Sequence, residues 1–190
     1  VTIMEAVAYS VQGSAGFDTV VMLIHHESRQ MLQRVAQAGM PIKAFIESQE
    51  REISLEDFNA LLQPEFRISG TMDSYFFPME RSPEWYTEPT GALLAAFDAN
   101  RSLHGMSANA WMDGDLLVVR ISGQGDNLVG AMVLDRPHSN KRPDRSTAEV
   151  LEIFAHQASA MVETQLPPRF SISAANSWSL RRSRSAVTSP

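Results

Sequence analysis

The chain contains no cysteine. That absence excludes disulfides, thiolate nucleophiles, cysteine-ligated zinc or iron–sulfur centres, and thioether attachment of a pigment. No apolar run approaches the roughly 18–20 residues needed to span a bilayer, and the opening residues lack the charged-then-apolar pattern of a leader. No membrane contact by this segment is expected. Bases are scarce outside the final stretch: residues 168–190 hold four arginines and no acid, leaving 12 of the 16 bases against all 22 acids in the remainder. A nucleic-acid surface must neutralise phosphates, so an acidic body argues against one. Glycine-rich phosphate loops, Ser–His–Asp order and zinc-ligand spacing are also missing. The sequence therefore predicts no catalytic residue, cofactor or metal, and a domain working in the reducing cytoplasm.

What is present is a well-patterned globular chain. Of its 190 residues, 44% are hydrophobic and 20% charged, ordinary values for one domain with a buried core. Ile3, Met4, Val7, Ala8 and Val11 recur at helical spacing, and Gly13 and Gly16 end that helix. Residues 20–24 are apolar at every position, the mark of a strand covered on both faces. "ESRQ" turns the chain into a more polar partner strand, "MLQRVAQAG". In "SLEDFNALLQP", Ser54 is a plausible cap and Pro64 a stop for a short helix. Tyr75, Phe76 and Phe77 form a strand ended by Pro78. Residues 80–110 read as a long, partly ordered connection with one short helical candidate at 91–97, the kind of segment that often forms a binding loop or lid.

The strongest segment is "GDLLVVRISGQGDNLVGAMVLDRP", in which 116–121 and 128–134 are strands joined by Gly123, Gly125, Asp126 and Asn127. A helix follows in "RSTAEVLEIFAHQASAMVE", where Ser146 and Glu149 match a capping box. Leu151, Phe154, Ala155, Ala158, Met161 and Val162 make its apolar stripe. "QLPP" stops it, because consecutive prolines cannot sustain helical hydrogen bonding. The expected organisation is a domain over residues 1–166 and a Ser/Arg-rich tail over 167–190 that lacks the apolar content to order itself.

Strands joined without regular crossover helices suggest an antiparallel α+β architecture. The element order and four of its segments resemble the GAF family of sensory modules. "GFDTVVMLIHHES" resembles the family's first strand, and "GQGDNLVGAMVLDRP" its last hairpin, with Gly130 inside the final strand. "RPDRSTAEVLEIFAHQASAMVE" resembles its closing helix through 153–155, Gln157, Ala160 and Glu163. "LLQPEFRIS" followed by "SYFFP" is similar to the run into the third strand. The resemblance covers about residues 2–163 and is more specific for fold than for ligand. It implies a central antiparallel sheet of five to six strands, with N- and C-terminal helices together on one face. Irregular helical segments and loops would enclose a small-molecule pocket on the other. It also implies a bacterial sensory domain that homodimerises through its terminal helices. Such a domain governs an attached output unit, such as a histidine kinase or cyclic-dinucleotide enzyme. The alternatives are a structural dimerisation module without a ligand and an enzyme of unrecognised chemistry.

Specific family chemistries can be weighed residue by residue. Without cysteine, bilin attachment and free methionine sulfoxide reduction are excluded. Asn140 and Lys141 match the first pair of a cyclic-nucleotide motif whose remainder is missing, and read as a polar loop. His25 and His26 end a strand and point to opposite faces, His156 lies on the polar helix face, and His104 and His138 lie in loops. Asp113 and Asp115 flank Gly114 as turn residues. The candidate ligand-binding residues are Tyr75, Phe77, Trp85, Trp111 and Arg120. The aromatics border the place where the resemblance sets the pocket, and Arg120 is a lone charge in an apolar strand. The bland alternative is that these aromatics fill a core and Arg120 faces solvent at an edge.

Overall fold

The computed structural model describes residues 2–87 and 109–165. Helix α1 (Ile3–Val11) opens on a capping box: Thr2 Oγ1 accepts from the Glu5 amide, and the Thr2 amide donates to the Glu5 carboxylate. Met4, Val7, Ala8 and Val11 are buried along one side of it. A wide π-helical turn (Gln12–Gly16) leads into strand β1 (Phe17–His26), which pairs antiparallel with β2 (Met31–Ala38). Helix α2 (Ile42–Gln49) has no counterpart among the sequence expectations. A two-residue strand β3 (Ile53–Ser54) then runs into α3 (Leu55–Leu61), capped by Ser54 through the Asp57 amide. Strand β4 (Ser74–Phe77), a short α4 (Ser82–Trp85), β5 (Leu116–Ser122), β6 (Leu128–Pro137) and α5 (Arg145–Gln165) follow.

The strands form one six-stranded antiparallel sheet in the order β3-β2-β1-β6-β5-β4. Its first face carries both terminal helices. Val7, Ala8 and Val11 of α1, with Leu151, Ala155 and Ala158 of α5, pack on Val20, Met22, Val119, Ile121, Met132 and Leu134. The second face presents Val21, Leu23, Val118, Ala131 and Val133 to Phe58, Leu61, Phe66 and Trp85 from the irregular layer. This double burial explains the continuous apolar runs of β1, β5 and β6, since each central strand needs apolar groups on both sides. The arrangement is the α+β layout expected from the sequence.

Two local features fix this geometry. The β1–β2 register shifts between Met22 and Leu23, where Val35 is the extra residue of a bulge. Residues before it (Leu32, Arg34) face the irregular layer and those after it (Ala36, Ala38) face the helices. Gly130 is the second. A Cβ there would lie 2.1 Å from the Leu23 carbonyl oxygen of the neighbouring strand, so only glycine allows β1 and β6 to approach.

One expectation is corrected. The closing helix is not capped by Ser146 with Glu149. Asp144 Oδ1 accepts from the Thr147 amide at 2.9 Å and from the Ser146 and Thr147 hydroxyls, and the Ala148 amide donates to the Asp144 carbonyl at 3.1 Å. The helix thus begins earlier, on a carboxylate placed where the helix dipole favours negative charge. Glu149 instead pairs with Arg145 one turn before it. The 91–97 helical candidate, His104 and the 167–190 tail lie outside the described residues.

Candidate functional site

On the sheet face away from the terminal helices, alternation along β4 puts Tyr75 and Phe77 on one side, opposite Val118 and Leu116 of β5. The same alternation along β5 puts Arg120 on that side. Tyr75 and Arg120 meet in an open cleft of about 390 Å³ bounded by the end of α3 (Asn59, Leu62), the run before β4 (Arg67, Met72, Asp73) and Asp126 of the β5–β6 hairpin.

Arg120 is the electrostatic centre of the cleft. Its Nη1 lies 2.6 Å from Asp126 Oδ1, 2.6 Å from Ser122 Oγ and 3.3 Å from Asp73 Oδ1, while Nη2 donates to the Asp126 carbonyl at 2.6 Å. The side chains of Arg120 and Asp73 are each 17% exposed, whereas Asp126 is 83% exposed. Burial alone pulls the guanidinium pKa down; hydrogen bonds and attraction from Asp126, then Asp73, outweigh it, and the net shift is upward. Arg120 stays charged. Tyr75 is only 9% exposed overall. Burial raises its phenol pKa, with Arg67 and Arg120 opposing and Asp73 and Asp126 adding to the rise.

Deeper in the second face, Phe77 packs at a tilt against Phe66 (centroids 5.1 Å apart) and Trp85 (5.6 Å). Trp85 Nε1 donates to the Pro78 carbonyl at 2.9 Å, and the Arg81 guanidinium lies 4.6 Å from the Phe66 centroid. Phe77 and Trp85 thus form a closed aromatic floor beside the cleft. Trp111 is elsewhere. It packs on the terminal-helix face against Phe76, at 5.7 Å between centroids, separated by the sheet from the other four candidates. The structure therefore brings Tyr75 and Arg120 together, sets Phe77 and Trp85 in the adjoining core, and puts Trp111 on the opposite side.

Sequence reasoning did not single out Arg67, Asp73 or Asp126 as site residues. Asp126 sits six residues beyond Arg120 across a tight hairpin, a spacing that would bring a turn residue back to the strand. Arg67 reaches the site through an isolated bridge to Tyr75, which no linear pattern announces. The histidines occupy separate places: His25 Nδ1 contacts the Leu128 carbonyl, His26 contacts Gln33, His138 pairs with Asp18, and His156 is exposed. Among the described residues no group of three or more His, Asp or Glu is arranged to hold a metal ion, and no helix is long and apolar enough to cross a membrane.

A six-stranded antiparallel sheet with both chain-terminal helices on one face and an irregular layer over the other defines the GAF fold, and this chain has it. Solved structures agree. A GAF domain/HD domain protein from Geobacter sulfurreducens is similar at 10% identity and a TM-score of 0.59, covering 85% of this chain and 90% of that one. The GAF domain of a phosphoenolpyruvate-protein phosphotransferase from Coxiella burnetii matches at 12% identity and 0.55, covering 84% and 80%. The blue-light absorbing form of the Thermosynechococcus elongatus PixJ GAF domain matches at 14% and 0.54, covering 84% and 82%. No family model and no curated protein matches the chain. At these identities the likeness is one of fold.

Proposed function

We propose that this chain is a sensory domain of a bacterial signal-transduction protein, binding a small molecule in the Tyr75–Arg120 cleft and passing its occupancy to α5. The observation that carries the reading is the position of Arg120. A charged side chain that is mostly buried, on the sheet face opposite the terminal helices and beside an aromatic floor, is the kind of placed polar group that orients a ligand. The fold supports it, since the solved neighbours include GAF domains of a phosphotransferase and a light-absorbing protein. A ligand shifts output only by favouring one arrangement of the domain over another. Here the Arg120 partner Asp73 also donates its amide to Glu152 of α5, which gives occupancy a direct route to the closing helix.

A screen of nucleotides, tetrapyrroles, organic acids and amino acids by thermal shift on the whole chain tests the proposal. A ligand that raises the melting temperature of the native protein, and does so less for Tyr75→Phe and Arg120→Gln, is the expected result. No response from any class in native protein favours the second reading.

That second reading is a dimerisation module, and one observation favours it. The outer surface of the helix pair leaves Tyr9, Val150, Ile153 and Met161 exposed, between 42% and 58%. An apolar stripe of this kind suits a self-complementary contact between two copies. Sedimentation of native protein and of Ile153→Glu distinguishes a dimer through these helices from a monomer.

A further inference from the structure

The charge pattern of the cleft narrows the ligand class, on the reading that the cleft is a sensory site. Arg120 has one positive charge and faces two carboxylates, Asp73 and Asp126. Arg120 lies 2.6 Å from Asp126 and 3.3 Å from Asp73, so one guanidinium shared by two carboxylates leaves the trio with one surplus negative charge. Asp126 is left with a carboxylate open to solvent and acceptor capacity beyond its bond to Arg120. On the other side of Tyr75, Arg67 is exposed and makes no ion pair among the described residues, yet it lies near enough to act on the Tyr75 phenol. The Tyr75 hydroxyl, influenced by all four charges, has no hydrogen-bond partner among the described residues. The cleft thus offers one spare cation, one spare anion and a hydroxyl between them, with Leu62 and Met72 as apolar wall.

We infer that the cleft takes a small zwitterion of the α-amino acid class, its carboxylate on Arg67, its ammonium on Asp126 and its side chain against Leu62 and Met72. A phosphate or nucleotide would need a surplus of positive charge, and the four groups sum to none. A simple amine or simple carboxylate uses only one of the two spare charges. The volume of about 390 Å³ is near the lower end of small-molecule sites, which run from about 300 Å³ upward.

Isothermal titration of the whole chain tests this with glycine, L-alanine, L-leucine and L-methionine. Controls are 4-methylpentanoate, 3-methylbutylamine and inorganic phosphate, alone and on the Arg67→Ala and Asp126→Asn variants. The expected result is saturable binding of at least one amino acid. Its amine-free or carboxylate-free analogue should bind about tenfold or more weakly, as loss of one charge-assisted contact implies. Arg67→Ala should weaken the amino acid to a similar degree while keeping the native melting temperature, because Arg67 is exposed. Amino acid binding unchanged in Arg67→Ala, or equal binding of the analogues, overturns the assignment. If no amino acid binds but another class stabilises the protein through Arg120, the zwitterion is wrong and the sensory reading stands. If no ligand of any class binds, both fall.

Discussion

The backbone amide of Asp73 donates to Oε1 of Glu152 at 2.7 Å, joining the run before β4 to the closing helix across 79 residues of sequence. The same carboxylate oxygen accepts from the Met72 amide at 3.0 Å and the Ser74 hydroxyl at 2.9 Å. Asp73 is held from the other side as well: its carbonyl accepts from the Arg120 amide at 2.8 Å, and its carboxylate takes Arg120 Nη1 and Ser122 Oγ. One residue therefore touches both the cleft and the helix.

Removing that latch should loosen the turn before it unfolds the domain. Glu152→Ala strips three donors of their acceptor at a half-buried site and is expected to cost about 1–2 kcal/mol. Glu152→Gln, which keeps an acceptor oxygen, should lose less. Urea denaturation gives the stability, and hydrogen exchange at the Met72 and Asp73 amides should quicken in the Ala variant.

Gly130→Ala should be among the most damaging small substitutions. The added methyl would meet the Leu23 carbonyl at 2.1 Å, and neither central strand can retreat without breaking the β1–β6 ladder. A loss of about 2–4 kcal/mol is expected by chemical denaturation. Gly125→Ala is the contrast: its Cβ meets nothing within 4 Å, though its φ of +69° strains any L-residue, so about 1 kcal/mol is expected.

Asp144→Ala should shorten the start of α5 at a cost of about 0.5–2 kcal/mol at neutral pH. The Asp144 carboxyl is held below its ordinary value by the Thr147 amide, then by the Ser146 and Thr147 hydroxyls. A depressed carboxyl contributes stability that is complete above its unfolded value and lost as pH falls through the folded one. Native protein and Asp144→Ala should differ at pH 7 and converge as pH falls through the folded value, as read by urea midpoints.

Asp115 should behave in the opposite sense. Its side chain is buried and accepts from the Met79 and Met112 amides and from Arg142. Burial raises its pKa, and those hydrogen bonds and Arg142 only partly reverse the rise. Between the ordinary value and the raised one the native state binds more protons than the unfolded chain, so this group's contribution falls as pH rises through that window. Asp115→Asn places an amide NH2 against backbone donors and should lose about 1–3 kcal/mol at pH 7, with the deficit widening as pH falls through that window.

The fold was legible where periodicity was strict. The stripe of α1, the double-sided runs of β1, β5 and β6, and the stripe of α5 each have a single way to be buried. Helix α2 was not: Ile42 and Ile46 stay exposed, Pro41 supplies no capping side chain, the buried residue is the polar Ser48, and its only apolar inward contacts are the partly buried Ala44 and Phe45. Arg34 was hidden by the bulge at Val35. It is 2% exposed, caps α2 through the Ser48 and Arg51 carbonyls, and burial, followed by repulsion from Arg51, lowers its pKa to about 10. Arg120 stood out as a charge in an apolar strand, but its partners come from a loop and a hairpin that only sheet pairing brings near. Trp111 precedes β5 outside any strand, so no alternation announced its face.

The central claim is that occupancy of the Tyr75–Arg120 cleft is felt by α5. Hydrogen exchange of the whole chain, with and without a saturating amount of whichever screened compound stabilises native protein most, tests it directly. Altered protection at residues 72–74 together with α5, abolished for α5 alone in Glu152→Ala, is the expected result. Protection that changes only at the outer surface of α1 and α5, leaving 72–74 and β5 untouched, would contradict it.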